Sequence, residues 1–226
     1  MPALPGFAEH YRIARLDVAT LRVVSASHLL TLIVAEIRLL LKGASLLWYL
    51  GVLGLWIASA VTPLEQARLH VLPLVWIWPV LQWSGMGLRE ARYGTDQILY
   101  SAPHPLRLQV PAAWLGGVAL AIITGAVIGL RLVLAGDWMA LGAWTVGACF
   151  IPALALALGV WSGTSRFFEG FYTALWYMGP LQPIPWIDFM GVSDDAIALW
   201  TPIVFAILTI LLLAAAFLGR RRQLRR

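Results

Sequence analysis

The stretch WMALGAWTVGACFIPALALALGVW, residues 138–161, contains no charged side chain. About 20 mostly apolar residues are enough for a helix to cross the hydrocarbon core of a bilayer. In lipid every backbone N–H and C=O must be bonded inside the protein, and a helix meets this requirement by itself. The stretch therefore predicts a membrane-spanning helix.

Five further apolar runs surround this one, at residues 46–62, 70–88, 112–134, 167–180 and 196–218. The run at 167–180 stops early, because Pro180, Pro183 and Pro185 cannot continue one helix. Residues 181–192 then predict a short re-entrant or interfacial segment, with a plain loop as the alternative. The predicted fold is all-α: a polytopic membrane protein with six transmembrane helices and an outer re-entrant segment before the last.

The composition excludes most other classes of protein. Of the 226 residues, 61% are hydrophobic and 12% are charged, whereas a soluble domain is about half apolar and a quarter charged. The 12 tryptophans argue against a disordered chain, and the single cysteine, Cys149, cannot form an intramolecular disulfide. The net charge of +5 comes from residues that flank apolar runs, so we expect a lipid bilayer and no nucleic acid as partner.

The charges also predict an orientation. With six spans and both termini in the cytoplasm, only Arg68 and Arg131 among the basic residues lie outside, and the other fourteen lie inside. Those fourteen are Arg12, Arg15, Arg22, Arg38, Lys42, Arg89, Arg92, Arg107, Arg166, Arg220, Arg221, Arg222, Arg225 and Arg226. An excess of Lys and Arg marks the cytoplasmic side. We therefore expect a multi-pass protein of the plasma (inner) membrane, with a cytoplasmic segment 1–45, a transmembrane domain 46–219 and a basic tail 220–226.

An amphipathic helix is predicted immediately before the first run. Polar or small residues recur every three or four positions, at Ser27, Thr31, Ala35, Arg38, Lys42 and Ser45. Such a helix suits the cytoplasmic headgroup layer, with its basic side chains toward the lipid phosphates. Glu36 lies off the polar stripe, where it either meets a protein partner or is an ordinary surface residue.

The cytoplasmic loop 89–111, REARYGTDQILYSAPHPLRLQVP, is unusually long and charged for this chain. Thr95 is a suitable N-cap and Asp96 suits the first turn of a helix, so we expect a short helix over residues 96–101. Pro103 and Pro105 end that helix and stiffen the connection to the next span. A rigid, charged helix in this place is suited to docking another protein, and a merely solvated loop is the alternative.

No pattern for catalysis is present in the sequence. The only lysine, Lys42, does not lie in a phosphate-binding loop of the form GxxxxGK[ST]. The four histidines are scattered, which does not suit a metal site, and no GxSxG motif occurs. We therefore expect no enzyme activity, no metal and no cofactor in this chain, and any ATP would be bound by a partner subunit.

Glycine and tryptophan residues suggest how the spans pack. Gly125 and Gly129 form a GxxxG pair that would let two helices approach closely, and Gly116 and Gly117 extend the same face. The tryptophans Trp76 and Trp83 share a helix face that could meet lipid or a substrate. Three other tryptophans, Trp48, Trp138 and Trp200, lie near the predicted membrane–water interfaces and are expected to form an aromatic belt.

Four stretches resemble membrane permease subunits of the type-two ATP-binding-cassette (ABC) exporter superfamily. They are EIRLLLKG (36–43), MGLREARYGTDQILYSAPHPLR (86–107), GVWSGTSRFFEGFY (159–172) and YMGPLQPIPWIDFMG (177–191). The resemblance implies an interfacial elbow helix, a coupling helix that sits in a cleft of the ATPase, and short re-entrant helices before the last span. It also implies a functional unit of two ATPase subunits and two permeases, which are either a homodimer of this chain or a heterodimer of this chain with a related permease. The short outer loop 62–70 leaves open a minimal permease, a half or a truncated paralogue.

The resemblance assigns candidate residues to each element. The elbow candidates are Glu36, Arg38 and Lys42. The coupling-helix candidates are Arg89, Glu90, Arg92, Gly94, Thr95, Asp96, Gln97 and Ser101. The re-entrant candidates are Pro180, Pro183, Pro185 and Asp188. The expected function is export of a hydrophobic or amphipathic substrate, powered by a separate ABC-type ATPase subunit. The alternative is a non-transport membrane scaffold or assembly factor that docks a soluble partner through the loop.

Overall fold

The structure is a computed structural model that describes residues 18–88, 105–182 and 184–223. Within these ranges the chain forms helices and connecting turns, and no strand occurs. The helices are α1 (Val18–Leu41), α2 (Leu46–Val61), α3 (Leu64–Gln66), α4 (Leu72–Ile77), α5 (Val80–Ser84), α6 (Pro105–Ala135), α7 (Trp138–Ser162), α8 (Ser165–Trp176), α9 (Asp194–Ala198) and α10 (Thr201–Gln223). The all-α prediction is confirmed for the described part of the chain.

Three helices are long and apolar enough to cross a membrane: Leu108–Ala135 within α6, Trp138–Ser162 and Thr201–Gln223. A fourth candidate combines Leu29–Leu41 with Leu46–Val61, two helices that meet at an angle of 103°. The apolar helices are those of a membrane-embedded protein. The two remaining apolar runs of the sequence are helical but interrupted, so neither gives one long helix.

The first interrupted helix covers residues 64–84. A π-helical turn, Ala67–Val71, follows α3, and a second break at Trp78 and Pro79 separates α4 from α5. Pro79 has no backbone N–H and therefore cannot continue the ladder of helical hydrogen bonds. The second interrupted helix covers residues 165–181, where α8 passes into a π-helical turn, Tyr177–Leu181, that contains Pro180. Single π-helical turns are frequent at functional sites.

The helix α6 begins earlier than predicted. Its first residue is Pro105, about two turns before the expected start at residue 112. A proline at the first position of a helix costs no hydrogen bond, because the N–H it lacks would have had no helical partner. The last part of the expected loop, residues 105–111, is therefore helical, and Pro103 lies outside the described residues.

The central helix of the bundle is α7. In the most apolar 18-residue stretch of α7, 78% of the helix is buried inside the bundle, whereas the corresponding share for α10 is only 22%. The helices α6 and α10 both pack on α7, and α1 packs along α6. Gly116 of α6 allows this last contact, because a methyl group there would lie 2.8 Å from Cβ of Glu36.

Candidate functional site

A buried arginine joins three segments at one end of the bundle. Nη2 of Arg68 lies 3.1 Å from Oδ1 of Asp194 and donates to the carbonyl oxygen of Gly191, also at 3.1 Å. Nη1 of the same guanidinium lies 3.5 Å from Oδ2 of Asp137. We call these four residues the acidic-end cluster. It ties the π-helical turn after α3 to the start of α7 and to the start of α9.

Both carboxylates of the acidic-end cluster also lie at helix N-termini. Asp137 is the N-cap of α7, and its Oδ1 accepts a hydrogen bond from the backbone N–H of Ala140 at 3.0 Å. Asp194 is the first residue of α9. A negative charge is favoured at these positions by the helix dipole. Each acid therefore stabilises its own helix and the buried guanidinium together.

A second arginine at this end, Arg131 of α6, caps the C-terminal end of α2. Its Nη1 donates to the carbonyl oxygen of Ser59 and, at 2.7 Å, to that of Thr62. The last carbonyls of a helix have no partner within the helix, and a cation near them is favoured by the helix dipole. The two arginines predicted to lie outside thus occur at the same end of the bundle as Asp137 and Asp194.

Residues 184–193, which we call the inserted segment, enter the bundle. Phe189 and Met190 are fully buried, and the ring of Phe189 lies 5.4 Å from that of Phe150 and 5.9 Å from that of Phe205. Phe150 lies midway along α7, so the inserted segment penetrates the bundle to about the midpoint of that helix. It carries turns and no regular helix, so the re-entrant helix implied by the resemblance is absent from its described residues.

Asp188 organises the turn at the deepest part of the inserted segment. Its Oδ2 accepts hydrogen bonds from the backbone N–H of Ser193 at 3.0 Å and from the Ser193 hydroxyl at 3.1 Å. Its Oδ1 is buried without a hydrogen-bond partner among the described residues. The side chain of Asp188, one of the re-entrant candidates, is fully enclosed by the bundle.

The other re-entrant candidates surround the same segment. Pro180 is buried in the π-helical turn, next to Gly179, whose Cα approaches the backbone of Ile187. Pro185 accepts a hydrogen bond on its carbonyl oxygen from the hydroxyl of Thr201 at 2.8 Å. Pro183 lies outside the described residues. Gly191 has a φ of +63°, a conformation that favours glycine, and packs closely on Ala143.

The predicted elbow residues Glu36 and Arg38 lie on α1, and Lys42 lies in the turn between α1 and α2. The side chains of Arg38 and Lys42 are exposed, as are those of Thr31, Ala35 and Ser45, so the described part of the polar stripe faces outward. Glu36 is half-buried against Gly116 of α6. Its Cβ therefore contributes to the contact between α1 and α6, and the choice between a partner contact and an ordinary surface position stays a prediction.

The coupling-helix candidates are Arg89, Glu90, Arg92, Gly94, Thr95, Asp96, Gln97 and Ser101. All of them lie outside the described residues. The described chain approaches this loop through Met86, Gly87 and Leu88 and leaves it through Pro105. The segments on both sides of the loop therefore have a known place in the bundle. The segment before the loop is held by contacts with α7 and α10.

Tryptophan side chains join the first interrupted helix to α6. Nε1 of Trp76 donates to the carbonyl oxygen of Ala121 at 3.0 Å, and Nε1 of Trp83 donates to that of Gly117 at 3.1 Å. Both indoles are fully buried. The prediction that this face meets lipid or a substrate is wrong, because α6 covers it. Indole N–H groups in an apolar interior need an acceptor, and backbone carbonyls provide it here.

The glycine pair of α6 makes room for a ring. Added methyl groups at Gly125 and Gly129 would lie 3.1 Å from the indole of Trp144, which is on α7. The predicted close approach is therefore between a helix backbone and an aromatic side chain. The expected extension at Gly117 faces Pro152 of α7, where a methyl group would lie 2.7 Å from the proline Cβ.

The described residues contain no group of three or more His, Cys, Asp or Glu side chains that could hold a metal ion. Their charged clusters are tied to backbone groups and to one another, which suits mechanical connection between helices. Sequence reasoning missed Arg68 and Arg220 as buried residues and treated both as surface charges. A signal existed for Arg68, since it is one of only two basic residues predicted to lie outside, where Asp137 and Asp194 offer carboxylates for pairing.

Comparison of the chain with known protein families, with curated proteins and with solved structures gave no match.

Proposed function

We propose that this chain is the transmembrane permease subunit of an ATP-driven exporter of the ABC type, powered by a separate ATPase. The six passages would be made by α2, the first interrupted helix, α6, α7, the second interrupted helix and α10. The helix α1 would be the interfacial elbow, and the inserted segment would be the outer re-entrant element. The substrate would be hydrophobic or amphipathic, and the unit would contain two permeases.

The observation that carries the proposal is the order of two departures from straight helices. A 103° turn lies directly before α2, and the inserted segment lies shortly before α10. An amphipathic helix at a right angle to a span is suited to the headgroup layer. Irregular backbone at membrane depth is tolerated where protein encloses it, as it encloses Phe189 and Met190.

The distribution of charge supports a cytoplasmic location for both termini. Contacts of Arg68 gather Asp137 and Asp194 at one end of the bundle. Contacts of Arg220 place the basic C-terminal turn beside Gly87 at the other end. Since Lys and Arg favour the cytoplasmic side, the end of the bundle with Arg220 would lie on the cytoplasmic side of the plasma membrane.

A second candidate, a non-transport scaffold, is favoured by the filled interior of the bundle. Trp76, Trp83 and Tyr172 are fully buried among its helices. An exporter with this interior would have to pass its substrate between two copies or along the lipid-facing side. The exposed apolar face of α10, which includes Ile203, Ile207 and Leu211, offers such a surface. A scaffold needs no route at all.

The test is coupling to an ATPase. The chain is co-expressed with each P-loop ATPase encoded near its gene, purified in lipid nanodiscs, and assayed for bound ATPase and ATP turnover. We expect one ATPase to co-purify and its turnover to rise with the permease present. Replacing Arg92 and Asp96 together should abolish co-purification without preventing membrane insertion.

The matched control replaces Arg68 and Asp194 at the opposite end of the bundle, which should leave ATPase binding intact. Binding without any change in ATP turnover would favour the scaffold. Absence of any co-purifying ATPase would contradict both the exporter and the assignment of the loop.

A further inference from the structure

A second buried arginine joins three helices at the end of the bundle opposite the acidic-end cluster. Nη2 of Arg220 on α10 donates to the carbonyl oxygen of Gly87 at 3.1 Å, and Nη1 donates to Oε1 of Gln223 at 3.2 Å. Nε2 of Gln223 in turn donates to the carbonyl oxygen of Val160 on α7 at 3.1 Å. The last turn of α10 is thereby bonded both to α7 and to the turn that follows α5.

Glycines let the same three segments pack closely, the turn at Gly87 on the backbone of α7 and α10 on side chains of α7. Gly159 of α7 packs so closely on the carbonyl oxygen of Met86 that no side chain would fit. A methyl group at Gly219 would lie 2.6 Å from Cγ1 of Val160. Gly87 has a φ of +78°, and a methyl group there would lie 2.9 Å from the carbonyl oxygen of Leu156. We call Gly87, Gly159, Gly219, Arg220 and Gln223 the arginine joint.

The other end of α10 contacts the inserted segment. The hydroxyl of Thr201, the first residue of α10, donates to the carbonyl oxygen of Pro185 at 2.8 Å. One turn later Phe205 packs on Phe189, with ring centres 5.9 Å apart. Between these contacts and Arg220 the helix is uninterrupted, with 23 residues from Thr201 to Gln223. A continuous helix of this kind carries a displacement from one end to the other.

We propose that Arg220 is a positioning residue that couples the loop after Leu88 to the last helix and, through that helix, to the inserted segment. The proposal rests on the proposed function in one respect, namely that an ATPase acts on this loop. A displacement of the loop moves Gly87, and the arginine joint passes the movement to α10 because Arg220 bonds α10 to Gly87 and Gly219 packs closely on the side chain of Val160. The far end of α10 then moves Pro185 and Phe189.

The chemistry of arginine suits this role. Its planar guanidinium bonds two acceptors in a fixed geometry and stays charged at any relevant pH. Lysine has a point charge on a flexible stem and does not fix two acceptors at once. The neighbours Arg221 and Arg222 are exposed, and Arg222 lies over the ring of Trp161 at 5.2 Å. Arg220 is therefore set apart from the rest of the basic C-terminal turn by its burial and its contacts.

The first experiment uses the full chain bound to its ATPase in nanodiscs. The reporter is a cysteine in place of the exposed Trp186 of the inserted segment, with Cys149 replaced by alanine. We expect trapping of the ATPase with ATP and vanadate to change the rate of labelling by an impermeant thiol reagent by about fivefold or more, the usual range of coupling between sites. In R220Q this change should be lost while the ATPase still co-purifies.

The matched control is R221Q, which removes the same charge from an exposed neighbour and should retain the labelling response. R220K should restore no more than part of it. A structural role alone would lower the thermal midpoint of R220Q without removing the response from the folded fraction. A full labelling response in R220Q overturns the proposal.

The second experiment needs no ATPase and separates this proposal from the proposed function. Hydrogen exchange is measured on the isolated chain at the backbone N–H groups of Met86 and Leu88, which are bonded within their own turn. R220Q should speed their exchange by about fivefold, as expected for the loss of one hydrogen bond, and R221Q should not. Unchanged exchange in R220Q overturns the arginine joint. If no ATPase binds the wild-type chain, the proposed function fails, and the exchange result alone decides whether the joint exists.

Discussion

The two ends of the bundle each hold a buried arginine, and the two residues connect helices in different ways. At the acidic-end cluster, Arg68 reaches two carboxylates whose side chains remain 39% and 82% exposed. At the arginine joint, Arg220 bonds to the backbone of Gly87 where glycines bring the chain segments into contact. The first connection is made by charge between side chains, and the second is made mainly by shape.

This difference implies different sensitivities. Ion pairs between partly exposed groups weaken with salt and with loss of a single charge. Contacts between backbones are insensitive to salt but do not tolerate an added methyl group, because protein interiors are close-packed. The acidic-end cluster is therefore expected to be sensitive to salt and to the loss of a charge, whereas the arginine joint is expected to be sensitive to added side-chain volume.

The largest expected effect concerns which side of the membrane each end faces. With Cys149 replaced by alanine, a cysteine at the exposed Met139 should react with an impermeant thiol reagent in intact cells. A cysteine at the exposed Arg221 should react only after permeabilisation. Met139 is preferred to the neighbouring Gly136, whose φ of +71° disfavours a side chain. The reverse labelling pattern would invert the proposed topology.

The second prediction removes the countercharges of the acidic-end cluster. Replacing Asp137 and Asp194 together by asparagine leaves the guanidinium of Arg68 buried without a carboxylate, and we expect a loss of about 1–2 kcal/mol in the free energy of unfolding, less than for a fully buried pair because both carboxylates are partly exposed. The measurement is thermal or denaturant unfolding in detergent. Glu65 and Asp195 are exposed acids of the same end, and their paired amide variants are the control. Equal effects in both pairs would show that net charge, and not the cluster, matters.

The third prediction tests the arginine joint by shape. Gly159→Ala should cost about 1–3 kcal/mol, because the added methyl group meets the carbonyl oxygen of Met86. The control, Gly142→Ala on the same helix, has open space around it and should gain up to about 1 kcal/mol from helix propensity. Unfolding in detergent at low and high salt measures both. A salt-dependent loss in Gly159→Ala would contradict the contrast between the two ends.

Part of the fold could be predicted because the bilayer demands a simple pattern. The uncharged run at 138–161 predicts a spanning helix, and the structure has one at Trp138–Ser162. The prolines at 180 and 185 predict an interruption, and the chain is irregular there. The interruptions in residues 64–84 were not predicted, since apolar composition counts residues without regard to the continuity of their hydrogen bonds.

The candidate site was less accessible to sequence reasoning. Positive-inside counting treats every arginine alike, so it assigned Arg68 and Arg220 to opposite sides of the membrane without recognising that both are buried. The tryptophans Trp76 and Trp83 were assigned to an outer surface because their spacing gives a shared face but does not say what covers it. Asp188 lies in an apolar stretch, and only the turn ending at Ser193 explains its enclosure.

The sequence by itself determined that the chain is helical and belongs in a membrane, because few charges and long apolar runs leave no other way to satisfy the backbone. It also predicted an interruption near Pro180 and Pro185, because proline lacks an N–H, but Pro111 and Pro152 lie inside continuous helices and show that proline alone does not fix a break. Only the tertiary structure decided which charges are buried and which helices share a joint. Those facts depend on contacts between residues far apart in the chain, such as Gly87 with Arg220 and Arg68 with Asp194.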